Sequence, residues 1–450
     1  MGEIKTRITR RQFVGSTVVA AAAFSIVPRH VLGQGQTPPS EKLRLAFIGS
    51  GGQAGFSMDN LASQEFVAFC DVDERRAAGT YKKYPNVKQY KDFRKMLPEI
   101  EKQIDAVVVA TPDHIHAVAA IAAMKLKKHV YCEKPLAHSI YEVRQMMKAA
   151  AENKVVTQMG NQGHSTESIR MFCEWIWDGA CGNVHTIQAG CSAPNNAMGQ
   201  LEQIKVAQPV PEGVDWDLWL GPAQFRPYHR AYMPGSWRSW MPFGTGTIGD
   251  WTCHVIDPVF WALDLGAPIS VKADAEGYDP KLHADTFPRR THMEFKFAGN
   301  GKRGPITLQW YSGYPSLPRP EGLEAERKVV DTGAIVIGDK GNIMYGSHGA
   351  GGVRIFPEEK MKAYKQPAKT LPRVRNGNHH QDWLAAIKNG TKAGSDFSYG
   401  GPLTEIALLG VIGTKLLGQE LKWDGGNMRF TNSEEANGFV TPKFREGWAI

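Results

Sequence analysis

"LRLAFIGSGGQAG" (Leu43–Gly55) is an apolar run that ends abruptly in glycine. The run reads as a strand, and Gly49, Gly51, Gly52, Gln53 and Ala54 follow in the spacing G-x-G-x-x-A. Each small residue has a physical task in such a turn. Gly49 permits the tight reversal, Gly51 lets a backbone approach a pyrophosphate, and Ala54 allows a helix to lie close on its strand. The helix N-terminus then offers free N–H groups and a positive dipole end to the phosphates. Alone the motif is weak. Here a strand precedes it, a helix follows it, and Asp71 stands 22 residues beyond Gly49 at the end of the next strand. Asp71 would accept hydrogen bonds from ribose hydroxyls and repel a 2′-phosphate. That favours NAD over NADP, with Arg75 and Arg76 close enough to weaken the preference.

Downstream, short apolar runs alternate with longer amphipathic ones. "FVAFCDVD", "DAVVVATP", "KHVYCEKP" and "VVTQMG" read as strands, and "HIHAVAAIAAMKL" and "YEVRQMMKAAAEN" as helices. The first helix is expected to run to about Ser63. This alternation predicts a Rossmann-type α/β domain over residues 43–160, with a doubly wound parallel sheet. From Val184 the pattern changes. "HTIQAG", "THMEFKF", "PITLQWYSGYP" and "AIVIGDKGNIMYG" are strand-like. Helices are expected only at 167–177, after Asp250, and in "HHQDWLAAIKNG" and "LTEIALLGVIGTKLLG". Residues 161–450 are therefore expected to form an α+β domain with a large, mostly antiparallel, open-faced sheet and an aromatic-rich insert at 211–245.

The 450 residues leave room for two or three domains with cores, and 22% charged residues is ordinary for a globular chain. Half of the net charge of +8 comes from Lys5, Arg7, Arg10, Arg11 and Arg29 set against Glu3. What remains gives no basis for nucleic acid as a partner. The six cysteines show neither CxxC nor metal-ligand spacing, so no metal is expected, and the sequence assigns no disulfide. "TRRQFVGSTVVAAAAFSIVP" (Thr9–Pro28) has a basic start, an Arg pair and an apolar run of about 14 residues, too short to span a bilayer comfortably. It resembles a twin-arginine signal. Residues 1–33 are expected to be that signal peptide and 34–42 a polar linker, with the chain exported through the twin-arginine machinery to the periplasm. Retention by an uncleaved signal anchor is the other outcome.

"VYCEKPLAHS" (Val130–Ser139) ends a strand on a charged pair locked against proline. Ligands of parallel sheets bind at the carboxyl ends of strands, and Pro135 restricts the backbone of Lys134, so the ammonium is aimed. Glu133 could orient it or tune its pKa. An ordinary exposed strand end is the competing reading. The glycine turn, "ATPDHIHA" (Ala110–Ala117), "CEKPLA" (Cys132–Ala137) and "GDWTCHVID" (Gly249–Asp257) occur in this order. The order resembles the Gfo/Idh/MocA oxidoreductases, over about Lys42 to Trp423. The resemblance implies an active site of Lys134, Asp250 and His254. It sets Thr111, Pro112 and His116 beside the nicotinamide and counts Glu133, Lys134 and Pro135 among the cofactor-binding residues. It also implies a homo-oligomer formed through the open sheet face, and the leader is similar to that of secreted members.

The chemistry agrees with that assignment. Oxidising a carbinol needs hydride departure and loss of the hydroxyl proton. His254 can be the base, Asp250 could hold its orientation, and Lys134 would stabilise the developing alkoxide. In a helix, Asp250, His254 and Asp257 share one face, but Pro258 removes the donor for the His254 carbonyl. Asp257 could instead cap a helix that starts at Pro258, which would leave the pair in an irregular turn. A structural hydrogen-bonded pair is the competing reading for Asp250 and His254. His114 and His116 each read individually as structural. His379 is expected to line the substrate cleft. Within the insert, half or more of the rings are expected to pack a long loop, and Trp237 with Arg238 is taken as a sugar platform. The leading function is an exported NAD-dependent oxidoreductase of a small-molecule sugar, sugar derivative or polyol. The alternatives are a glycoside hydrolase or lyase working through transient NAD-mediated oxidation and elimination, and a non-catalytic sugar-binding protein.

Overall fold

The computed structural model describes residues 41–450. The proposed leader, and the linker up to residue 40, lie outside the described residues. The first half is a six-stranded parallel sheet: β1 (Arg44–Ile48), β2 (Glu65–Cys70), β3 (Lys88–Tyr90), β4 (Ala106–Val109), β5 (His129–Glu133) and β6 (Thr157–Gly160), in the order β3-β2-β1-β4-β5-β6. β4 is "AVVV", buried along its whole length, as a central strand covered on both faces must be. The intervening helices are α1 (Ala54–Asn60), α2 (Glu74–Lys83), α3 (Phe93–Ile100), α4 (Asp113–Lys125) and α5 (Ile140–Asn153). α1 stops three residues short of Ser63. Strand order reverses between β1 and β4, and the crevice beyond their carboxyl ends is where such a sheet takes a ligand.

The second half carries a nine-stranded sheet. Its strands are β7 (Val184–Cys191), β8 (Ser270–Asp274), β9 (Thr291–Phe297), β10 (Ile306–Ser312), β11 (Gly333–Gly338), β12 (Asn342–Gly346), β13 (Gly351–Phe356), β14 (Leu421–Asp424) and β15 (Arg429–Phe430). Only the β7–β10 pair is parallel. Along β10, Ile306, Leu308 and Trp310 are buried while Thr307, Gln309 and Tyr311 are half-buried, so one face is the core and the other is partly open. The helices of this half are α6 (Glu167–Trp177), α7 (Trp216–Leu220), α8 (Gly246–Val255), α9 (Asp257–Ala262), α10 (Glu358–Ala363), α11 (His379–Asn389), α12 (Phe397–Lys415) and α13 (Glu434–Asn437).

α12 binds the two halves together. It lies against β8 and β9, where Gly410 lets it approach: a Cβ there would stand 2.9 Å from the Met293 sulfur. It also packs on α5, where the Thr404 hydroxyl accepts from the Leu136 amide at 3.2 Å and Arg144 pairs with Glu405 at 2.7 Å. The segment just after Lys134 is thereby anchored to the second half. All six cysteines are free and buried. No described helix is long and apolar enough to cross a membrane.

Candidate active site

A cleft with about 410 Å³ of open volume runs along the carboxyl ends of β1, β2, β4 and β5 and is closed from above by the second half. Gly49, Gly51, Gly52, Gln53, Asp71, Thr111, Pro112, Glu133 and Lys134 line it from below, and Trp237, Arg238 and His254 face them. Ala54 begins α1 and is buried behind the turn. Pro135 also stands behind the lining. Gly49 has φ +84°, and a Cβ on it would meet the Ala110 carbonyl oxygen at 2.4 Å. A Cβ on Gly51 would stand 2.7 Å from the Arg76 carbonyl oxygen, so the crossing of α2 requires glycine there as much as any phosphate does. Asp71 holds the turn closed: it accepts from the Ser50 and Gly51 amides at 2.8 and 3.2 Å and from the Asp73 amide at 2.9 Å. Arg75 is tied to Asp73 at 2.8 Å, and of the two neighbouring arginines it is Arg76 that lines the cleft. A left-handed glycine turn, a helix start and an acid at the second strand end together fit a dinucleotide.

Lys134 and Asp250 meet above this floor. The Lys134 Nζ donates to the Asp250 Oδ1 at 2.5 Å and to its main-chain oxygen at 2.9 Å. Arg238 Nε donates to the same carboxylate at 3.3 Å and Asn195 Nδ2 at 3.2 Å. Burial alone would raise the Asp250 carboxyl, but Lys134 and then Arg238 hold it well below the usual carboxylate range. Glu133, under the same lysine, is pushed by burial up to about 7, with Lys134 pulling the other way. The Arg238 guanidinium lies 4.2 Å from the centre of the Trp237 ring, so the expected platform is a single stacked unit.

Asp250 makes no hydrogen bond to His254, which corrects the expectation that it orients that ring. The His254 imidazole is buried with its Nδ1 unpartnered. Burial, and after it Lys134 and His348, push it well below its ordinary value, so the neutral, proton-accepting form prevails at neutral pH. The proline problem resolves in two helices that break at Ile256. The His254 carbonyl, deprived of its donor by Pro258, accepts from the His348 amide at 2.9 Å. Asp257 caps nothing; its carboxylate is held by His164, Asn161 and Tyr399.

Two further expectations are overturned. His116 does not reach the cofactor cleft. It is buried, with ring nitrogens 2.8 and 2.9 Å from the Pro135 and Thr111 carbonyls, and so joins the two loops beneath the cleft. His379 does not line a substrate cleft either. Its Nδ1 is 2.7 Å from the Ser165 hydroxyl and its Nε2 is 2.7 Å from the Met159 carbonyl, which leaves no ring nitrogen free. Both sit on apolar helix faces, where burial captures a histidine by whatever carbonyl is nearest. His114 is structural, as read, lying between Phe243 and Trp219. The insert also behaves as read: Trp216, Trp219, Tyr228, Tyr232, Trp240 and Phe243 form a buried cluster.

The sequence reading missed His348. It sits at φ +57° on the β12–β13 hairpin, lines the cleft, and stacks on the His254 ring at 4.1 Å between centroids. The hairpin is fastened there by the Ser168 and Thr166 hydroxyls, which donate to the Gly349 carbonyl at 2.8 and 3.1 Å. A histidine set in "GSHGAGG" was the available signal. Trp448, which lines the far end of the cleft beside Phe93, carried none. His348→Asn keeps a residue that tolerates left-handed backbone but removes the ring that shields His254. The His254 pKa should rise, and the acid limb of kcat/KM should move to higher pH. A pH–rate profile checks this, and an unmoved limb would show that the proton goes elsewhere.

Comparison with known proteins agrees with the geometry. Residues 43–161 match the profile of an oxidoreductase family with an NAD-binding Rossmann fold, and 196–302 match that family's C-terminal α/β domain. An inositol 2-dehydrogenase from Rubrobacter xylanophilus is 32% identical over 282 residues, covering 61% of this chain and 67% of its own. Among solved structures, the WlbA dehydrogenase of Bordetella pertussis in complex with NADH and UDP-GlcNAcA superposes with a TM-score of 0.58 at 14% identity, over 85% of this chain and 99% of its own. An inositol dehydrogenase homologue of Azotobacter vinelandii complexed with NADH and myo-inositol gives 0.54 at 16%, over 85% and 98%. At such identities these two establish the fold alone.

Proposed function

This chain belongs to the Gfo/Idh/MocA family of NAD-dependent oxidoreductases acting on CH–OH groups, and from that premise we propose that its substrate is a sugar, sugar derivative or polyol. Bound NAD supplies the hydride acceptor. The observation that carries the reading is the Lys134–Asp250–Arg238 cluster at the end of β5, set in one cleft with the buried His254 imidazole, whose Nδ1 is unpartnered. His254 takes the hydroxyl proton. Lys134 donates to the oxygen as negative charge develops on it, and Asp250 holds that ammonium in place. Trp237, 9% exposed in the aromatic cluster, backs the Arg238 guanidinium, and Arg238 offers hydrogen bonds to the rest of the substrate. The test is to incubate the purified chain with a panel of free sugars, polyols and glycosides, following bound NADH by absorbance and products by mass. Oxidised product with a nicotinamide signal is expected. Binding without any spectral change would leave only a sugar-binding role.

Export is part of the proposal and rests on the Arg10-Arg11 leader. A chain exported folded has to carry its dinucleotide with it and run a redox-neutral cycle, because free NAD is scarce outside the cytoplasm. The mature protein, purified without added NAD and dialysed extensively, should release about one NAD per chain on acid extraction, since slow dissociation is what such retention means. A chain that emerges empty and needs free NAD for every turnover would overturn this. The half-open face of the second sheet, with Gln188, Gln309 and Tyr311 half-buried on it, is the proposed contact between copies, to be tested by sedimentation.

A further inference from the structure

A second cavity, with about 730 Å³ of open volume, opens on the other side of the Gln162–Ser165 turn and shares no lining residue with the cofactor cleft. Its walls are the start of α6, α9, the Pro372–Arg375 segment, α11 and the start of α12. Arg170 is 6% exposed in its wall. Its Nε donates to the Pro372 carbonyl at 2.6 Å and its Nη1 to the His164 and Thr166 carbonyls at 2.8 and 3.1 Å. Three carbonyls fix the guanidinium, but among the described residues no carboxylate reaches ion-pair distance of it, and Nη2 has no protein partner. The guanidinium's hydrogen bonds go to neutral carbonyls alone, and Asp382 in the same wall and Glu167 act on it only through space, so an anion bonded to Nη2 would add the direct partner it lacks.

Next to it stands His164, 2% exposed, its ring stacked on Trp261 at 4.5 Å between centroids. His164 Nδ1 is 3.0 Å from Asp257 Oδ1. That contact settles one nitrogen and leaves Nε2 without a protein partner among the described residues. The Arg170 guanidinium lies 5.5 Å from the centre of the same Trp261 ring. Arg375 at the rim pairs with no carboxylate among the described residues, whereas Arg373 is spent on Glu174 and Lys392 on Asp396. Two acids line this wall: Asp382 already accepts from Gln158 Nε2 at 3.2 Å and the Gly394 amide at 2.8 Å, and Asp264 is an exposed rim residue beside Lys302.

We propose that this cavity is a second binding site, distinct from the cofactor cleft, for a sugar-sized carboxylate such as a uronate. Its carboxyl group accepts from Arg170 Nη2 and faces Arg375. A hydroxyl meets His164 Nε2, and a C–H face lies on the exposed part of Trp261. With only one nitrogen of Arg170 uncommitted, the site suits a carboxylate better than phosphate, which needs donors on several sides.

The test is isothermal titration of the full chain, loaded with NAD, with D-glucuronate, D-galacturonate and D-gluconate, using D-glucose and inorganic phosphate as controls. Saturable one-to-one binding of at least one acid is expected, with none of glucose. Arg170→Gln should weaken binding by roughly tenfold or more, the worth of one charge-assisted hydrogen bond. Should that variant fail to fold, Arg375→Ala and His164→Asn, checked by thermal melting, carry the same expectation at smaller size. Binding should survive Lys134→Ala, which separates this site from the proposed active site. No saturable binding of any of the acids overturns the proposal. So does binding lost in Lys134→Ala but kept in Arg375→Ala, and so does phosphate binding as tightly as the acids.

Discussion

Lys134→Ala should lower the rate of hydride transfer on the order of 10²- to 10³-fold, the cost of removing one donor from a developing oxyanion, while NAD binding stays near that of the parent chain. The expectation follows from what surrounds the lysine. Its Nζ is the shortest contact to Asp250, yet Arg238 and Asn195 also hold that carboxylate, so its loss leaves the acid partnered. The floor of the cleft, from Gly49 to Thr111, does not depend on it. The loss should therefore appear in kcat, with little change in NAD affinity or melting temperature. Single-turnover kinetics and an NAD titration on the same preparation check it. Turnover near that of the parent chain would remove Lys134 from the mechanism.

Gly49→Val should be the most damaging single change in the first half. The position has φ +84°, and any Cβ there meets the Ala110 carbonyl oxygen at 2.4 Å and the Thr111 amide nitrogen at 3.2 Å. Left-handed backbone for a β-branched residue and a forced separation of β1 from the end of β4 together should cost roughly 3 kcal/mol of stability. NAD affinity should fall with it, because Ala110 and Thr111 line the cleft. Thermal melting and NAD titration read the two effects separately. Gly55→Ala is the control: nothing lies within 4 Å of a Cβ there, so neither quantity should move much.

The sequence by itself determined the architecture. Alternating apolar and amphipathic runs are a local property of the backbone, so five of the six parallel strands and the change to an antiparallel sheet near Val184 could be read without any partner in view, whereas β3, three residues with none of them buried, left no apolar run to read. The glycine turn and the Glu133-Lys134-Pro135 end of β5 were legible for the same reason: each motif is contiguous, and sheet geometry dictates where a strand end points. What only the tertiary structure decided was which distant side chains meet. Asp250 lies four residues from His254, yet it turns to Lys134, Arg238 and Asn195, because two cations outweigh one buried neutral ring. His348 reaches His254 only because Gly163 and Gly349 let two backbones approach with no room for a Cβ. His116 and His379 were drawn away from the clefts by buried carbonyls that no spacing rule records. Local periodicity sets the backbone, and desolvation sets the partners: a buried polar group takes the nearest group that satisfies it, and that neighbour exists only once the chain has packed.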